Sequence, residues 1–343
     1  MSQFLSVFKF EVLYYARRIS TYVYFGIFFG LSVLLMSAIG GAFDSVSVGF
    51  GGGGGNVAVN SPWALFGLVA SLSLFGIIVT AALLGHSAQR DFETGSFPLF
   101  FTQPINKAAF LGGRFFGGLV TNAFVFLAIP LGVWFGALLP FLDAERLGPH
   151  LPSHYLDPFI NLVLPNMFFT GALFFGLALI SRRMLPNYVG GAVLLIGYLI
   201  SGQLVSDMEN EFVASLIDPF GGQAFTTLTK YWTVAEKNTL MIPVTGEYLY
   251  NRLLWIAIGF GVFALCYKIF SFSHIGPSLP FGKKKQTPVP DAPVRRRVTR
   301  VEIPHATRSF SGAAAVAQLS SMTQQAFGSV VRNVYFVAIV GAG

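Results

Sequence analysis

Apolar residues fall in long runs along this chain, and the polar positions gather into a few breaks between them. Residues 19–40, 63–85, 111–139, 159–180, 188–206 and 250–270 are six such runs. Each is long enough, as a helix, to cross a hydrocarbon core of about 30 Å. Ahead of them, residues 2–18 place Phe4, Phe8, Val12 and Tyr15 on one helical face, with Lys9, Glu11, Arg17 and Arg18 interrupting the rest. That pattern predicts an amphipathic interfacial helix over residues 1–18, with Arg17 and Arg18 as headgroup anchors.

The longest polar break in the first half is 86–118, HSAQRDFETGSFPLFFTQPINKAAFLGGRFFGG. Arg90, Asp91, Glu93 and Thr94 make it too charged for lipid. Phe97, Leu99, Phe100 and Phe101 make it too amphipathic for a plain loop, and predict a short helix or turn at the membrane surface. Pro98 and Pro104 bracket that element and Gly95 loosens its start. The glycines of GGRFFGG, 112–118, permit close helix packing where the next run begins.

The other breaks carry less. GFGGGGGN, 49–56, lacks the strand before it and the Gly-Lys-Ser/Thr after it that a phosphate loop needs, and reads as a flexible loop. Asp143, Glu145, Arg146, His150, His154 and Asp157 precede the fourth run, but their spacing fits no zinc signature and Gly148, Pro149, Pro152 and Pro158 mark loop, so no metal is assigned. SRRMLPN, 181–187, is a tight turn whose Arg182 and Arg183 read as headgroup anchors. Residues 207–248 are polar but not structureless: they read as half-helices broken at Asp218-Pro219 and Gly221-Gly222. Broken backbone near membrane depth is tolerated only against protein or a water-filled cavity. An external re-entrant hairpin is expected there, with Asp218, Pro219, Phe220, Tyr231 and Trp232 as an external gate. The expected fold is therefore all-α: a polytopic membrane protein with a six-helix transmembrane bundle over 19–270.

Composition agrees. Hydrophobic residues are 54% of the chain and charged residues 11%, against about a quarter charged in soluble domains. One cysteine, Cys266, leaves neither a disulfide framework nor a cysteine metal site. No small-residue cleavage site follows the leading helix. The net charge of +7 is concentrated: residues 283–308 supply +6 of it. A basic, Pro-rich juxtamembrane linker, 271–328, is expected to meet anionic lipid rather than nucleic acid. With the amino terminus inside, cytoplasmic segments hold 18 basic and 5 acidic residues, external ones 4 and 10. The positive-inside rule thus puts the amino terminus and 86–118 in the cytoplasm. Finally, VYFVAIVG, 334–341, repeats VYFGIFFG, 23–30, at an offset of 311. Residues 329–343 then read as the start of a further span, in the front part of a longer, internally duplicated protein.

The leading helix, the six runs and RDFETGSFPLFFTQPINKAAFLGGRF, 90–115, together resemble an ABC-2-type ABC-transporter permease. A charged helix Arg90 to Gly95, a Thr102-Gln103-Pro104 turn and a restart from Lys107 to Arg114 match that family's pattern. GALFFG (171–176), DPFGGQAFTTLTKYWTVAEKNT (218–239) and LYNRLLW (249–255) are similar to large bacterial permeases fused, further along, to a zinc aminopeptidase-like domain. No HExxH occurs in these residues, so no peptidase activity is assigned to them. The resemblance implies an exporter subunit of the bacterial cytoplasmic membrane that works with a second permease half or copy. It implies no cofactor on this chain; ATP and Mg would belong to a partner ABC ATPase. Residues 86–118 would couple to that ATPase through Arg90, Asp91, Glu93, Thr94, Phe97, Phe100, Phe101 and Pro104. The three phenylalanines would fill a groove, and Asp91 and Glu93 would pair with its basic residues.

Two other classes stand beside this one: an intramembrane enzyme, and a secondary transporter with no ATPase. Both expect ionisable groups in mid-span. The centres of the six runs contain essentially none, with His86, Arg114 and Arg252 at their ends.

Overall fold

A computed structural model describes residues 2–42, 57–206, 210–272 and 311–331, with the side chains of 101, 203–206, 314–315 and 329–331 excepted. No strand occurs among them. The helices are α1 (Gln3–Ala16), α2 (Ile19–Ile39), α3 (Pro62–Phe75), α4 (Ile77–Glu93), α5 (Phe97–Phe101), α6 (Lys107–Phe126), α7 (Ala128–Ala137), α8 (Pro152–Pro158), α9 (Leu164–Ser181), α10 (Leu185–Ser206), α11 (Glu211–Ile217), α12 (Gly222–Thr229), α13 (Val234–Thr239), α14 (Gly246–Ile269) and α15 (Gly312–Val331). Five helical stretches are long and apolar enough to cross a membrane, or six if the bent pair α3–α4 is one span. The chain is thus a helical protein compatible with multi-pass membrane insertion.

Their ends obey local chemistry. Ser2 accepts from the Leu5 amide, Ser61 from Ala64 with Pro62 in the first turn, and Asn106 from Ala108. Thr233 and Glu236 close a reciprocal capping box on α13. The core runs along α3, α4, α6, α7 and α9, where Leu65, Leu84, Phe115, Ile129 and Phe175 are all but inaccessible. α2, α10 and α14 leave apolar faces exposed, including Leu34, Val193, Ile200 and Phe260. Such faces suit lipid.

The structure corrects several boundaries. The second run does not end at 85: it bends by 51° at Gly76 and continues as helix to Glu93. The fourth begins at Pro152, not 159, with Pro158 inside it and one π turn, Phe159–Val163, between α8 and α9. Proline is tolerated in a first turn, and a π turn absorbs the ladder bond that the second one removes. Helix α15 straddles the expected limit between linker and further span at 328/329. The contacts divide the chain into units 1–282 and 283–343. Most of the basic linker and the repeat at 334–341 lie outside the described residues, as does the glycine run.

Candidate functional site

Helix α1 lies along α6, and the fit is set by glycine. A Cβ on Gly113 would meet Val7 at 2.7 Å, and one on Gly117 would meet Glu11 at 2.6 Å. This approach carries Glu11 out of solvent altogether. There it meets two arginines from two other helices. Arg90 of α4 donates to Glu11 Oε2 at 2.8 Å, and Arg114 of α6 donates to the same oxygen at 2.6 Å. Arg114 turns its other nitrogen to both oxygens of Asp91, the nearer contacts 2.5 and 2.7 Å. All four side chains are at least 92% buried. Two carboxylates and two guanidiniums make the cluster neutral.

Such a cluster is held by charge-assisted, partly bidentate bonds in a low-dielectric setting, where each is short and strong. The Arg90 guanidinium stacks 3.9 Å over the Tyr14 ring, adding a cation–π contact. Burial pushes the Glu11 carboxyl up to about 7, while the Arg90 charge pulls it back down. Below the cluster, Tyr15 is buried and donates from its hydroxyl to the Leu83 carbonyl at 2.9 Å, fixing α1 to α4 a turn further on.

The knot fastens the two ends of residues 94–106 to α1. The segment itself turns at Gly95, whose φ of +66° favours glycine. It then forms α5 and returns through Pro104. Gln3 holds the return: its side-chain amide donates to the Pro104 carbonyl at 3.0 Å and accepts from the Asn106 amide at 2.9 Å. Phe97 stacks on Phe92 with centroids 5.6 Å apart, and Phe100 tilts against Phe110 at 6.4 Å.

These contacts revise the roles expected from sequence. Arg90 and Asp91 are internal, paired with Glu11 and Arg114 respectively. Glu93 and Thr94 are exposed, as is Pro104. Phe97 and Phe100 are half-buried on their own chain rather than presented outward, and the Phe101 side chain lies outside the described ones. Among the described side chains of α5, Leu99, 72% exposed, and Pro98 are the ones that project. Among the proposed anchors, Arg17, Arg18 and Arg183 are exposed. Arg182 instead ends α9 in a left-handed conformation and stacks 4.2 Å over Phe92.

A second polar cluster sits at the other end of the bundle. Asn251 donates to the Asp218 carbonyl at 2.8 Å, and Arg252 donates to the side-chain oxygens of Asn251 and Asn166. Asn166 in turn donates to the Phe220 carbonyl at 3.0 Å. The Asp218 carboxylate caps the next helix by accepting from the Phe220 and Gln223 amides. Asp218 and Phe220 are therefore buried, Pro219 and Trp232 half-buried and Tyr231 exposed. Arg252, 3% exposed, lies inside its helix, not at a solvated end.

Sequence reasoning missed Gln3, Glu11, Arg114, Asn166, Asn251 and Arg252 as site residues. A signal existed for Glu11: three residues after Phe8 and four before Tyr15, it falls on the apolar face and not among the charges expected to interrupt the rest of the helix. Arg114 sits similarly between glycine pairs. Among the described residues, no group of three or more His, Cys, Asp or Glu is placed to hold a metal. Searches against protein-family models and against curated proteins find no match to this chain.

Proposed function

We propose that this chain is the permease component of an ATP-driven, ABC-2-type transporter, and that residues 94–106 dock on a separate ATPase subunit that carries ATP and Mg. The observation behind this reading is the buried knot of Glu11, Arg90, Asp91 and Arg114. A loop that merely rested on headgroups would not need its two ends ion-paired to a third helix. A docking element does, because force reaches the spans only through a mount that does not yield. Removing one partner of a buried ion pair destabilises by about 3–5 kcal/mol, which is stiff on the scale of a binding event.

In this reading α1 lies in the membrane interface, α3 and α4 form one bent span, and α11 to α13 make a re-entrant hairpin at the outer surface. Arg17, Arg18 and Arg183 meet headgroups, and the basic stretch after 283 meets anionic lipid. The charge bias across the segments supports an amino terminus in the cytoplasm of a bacterial cell, and the exposed faces of α2, α10 and α14 leave room for a second permease half or copy. Export is the direction that the sequence resemblance favours.

The docking contact is assigned to Leu99 and Pro98, with Phe97 and Phe100 as their rigid base. Burying a leucine contributes about 1.5–3 kcal/mol. Leu99→Asp should therefore weaken co-purification with the cognate ATPase roughly ten- to a hundredfold, with the chain still monodisperse in detergent. Unchanged binding and unchanged stimulation of ATP hydrolysis by the L99D chain would overturn the docking assignment.

A further inference from the structure

Three neighbouring membrane-length stretches each carry a defect, and residues beside each defect line one cavity. At Gly76 the axes of α3 and α4 meet at 51°. The Phe126 ring occupies the space beside that glycine, where any Cβ would run into it. Phe126 itself ends α6. Four residues on, Pro130 has no N–H to give its carbonyl, so the ladder between α6 and α7 lacks a bond. The third stretch passes through the π turn Phe159–Val163 into α9, with Pro165 in its first turn.

Between them lies a void of about 10 Å³, lined by Ser73, Thr80, Phe126, Val163, Asn166 and Thr170 among others. That is close to the smallest space that holds one water, and three hydroxyls and an amide border it. Asn122 donates to Thr80 Oγ1 at 2.9 Å, and its own side-chain oxygen, fully buried, has no hydrogen-bond partner. Helix bonds are thus missing or displaced in three adjacent helices, and alternative hydroxyl and amide partners stand at the same place. Bending there breaks fewer bonds than bending an uninterrupted helix.

We infer that Gly76, the α6–α7 joint and the π turn form a single hinge layer. About it, the end built from α4, α6 and α9, which carries residues 94–106, bends against the end built from α3, α7 and α8. A hinge concentrates the change in a few residues and leaves the packed bodies on either side rigid. The three breaks move together because Phe126 of one fills the bend of another and the same void borders the third. The device goes beyond the transporter reading and is a property of the chain alone.

The test is hydrogen–deuterium exchange on the full chain in lipid nanodiscs, with no ATPase present. Peptides covering 76–80, 127–131 and 159–164 should exchange at least about tenfold faster than those from the centres of α4 and α9, as locally opening segments do. Pro130→Ala restores a donor to the Phe126 carbonyl, and should slow exchange at all three breaks. If that chain does not fold, Gly76→Ala with Phe126→Leu removes the bend from the other side and should act alike. Uniformly slow exchange would overturn the hinge. So would slowing confined to the helix that carries the substitution, which would make the breaks independent. Neither result bears on ATPase docking, which L99D reads separately.

Discussion

The two polar clusters of this bundle hold helices together by different means. At the α4–α6 end, Glu11, Arg90, Asp91 and Arg114 are all formally charged, and each carboxylate faces at least one guanidinium within 2.8 Å. At the α14 end Arg252 is held by the amide oxygens of Asn166 and Asn251, these two amides donate to backbone carbonyls, and the Asp218 carboxylate accepts from backbone amides rather than from a cation. Amide networks tolerate rearrangement because carbonyls and amides can exchange partners without stranding a charge. Ion pairs taken from water cannot, since separation leaves each charge in a poor dielectric. The first cluster is therefore suited to a mount that transmits force. The second is suited to holding a turn, residues 218–222, whose Asp218 and Phe220 carbonyls accept from Asn251 and Asn166.

The largest effect should come from breaking the first cluster asymmetrically. Arg114→Ala leaves Asp91 without its ion-pair partner and Glu11 with one arginine instead of two. Loss of about 3–5 kcal/mol is expected, read as a lowered midpoint of unfolding in detergent. Combining it with Asp91→Asn should recover much of that loss, since the orphaned carboxylate goes too and Glu11 keeps Arg90. Glu11→Gln alone should cost less than Arg114→Ala, because burial has already pushed that carboxyl up to about 7 while an arginine cannot shed its proton. An Arg114→Ala, Asp91→Asn double variant no more stable than Arg114→Ala would mean that packing, not charge, holds this end.

Arg252→Ala tests the contrast from the other side. It strands two side-chain oxygens but no ion-pair partner, and the two amides can turn to other donors, so the penalty stays near that of one unsatisfied group, about 1–3 kcal/mol. The loss should be smaller than for Arg114→Ala, and Arg252→Gln should restore part of it by offering an amide in place of the guanidinium. The effect should appear as faster proteolysis or exchange in residues 211–239, with 94–106 undisturbed. Equal destabilisation by the two alanine substitutions would erase the distinction between the clusters.

Much of the fold was legible in the sequence, because a membrane-length apolar run needs only composition and length to be recognised. The breaks at Asp218-Pro219 and Gly221 were legible for a similar reason: proline and glycine interrupt helices wherever they fall. The bend at Gly76 was hidden, since apolar residues flank it on both sides and hydropathy does not register direction. The charged knot was hidden by distance along the chain. Glu11 meets partners 79 and 103 residues away, and whether Asp91 points to solvent or to Arg114 depends on the rotation of α4 about its axis. The Arg-Asp doublet looked like a surface feature because charged residues usually are one. Glu11 on an apolar face was the local clue that they were not.

The smallest expected effect belongs to Gln3, which joins the mount to the tip of the segment. Its two bonds, to the Pro104 carbonyl and from the Asn106 amide, are exposed, and an exposed hydrogen bond exchanges easily with water. Gln3→Ala should therefore change global stability by about 1 kcal/mol or less. Locally the consequence differs. The Asn106 amide precedes α6, and Gln3 is the side chain that ties this return turn back to α1. Exchange at residues 103–106 should rise several-fold while Glu11 and its arginines stay protected, because the knot lies two helical turns away along α1. If the segment docks on a partner, the looser turn should also lower affinity, by less than L99D does and with the same folding control. Gln3→Glu distinguishes the two bonds: a carboxylate still accepts from the Asn106 amide but cannot donate to the Pro104 carbonyl. Protection at 106 with increased exchange near 104 should follow. Identical exchange in the wild-type, Q3A and Q3E chains would show that the segment is held by Phe97 and Phe100 alone.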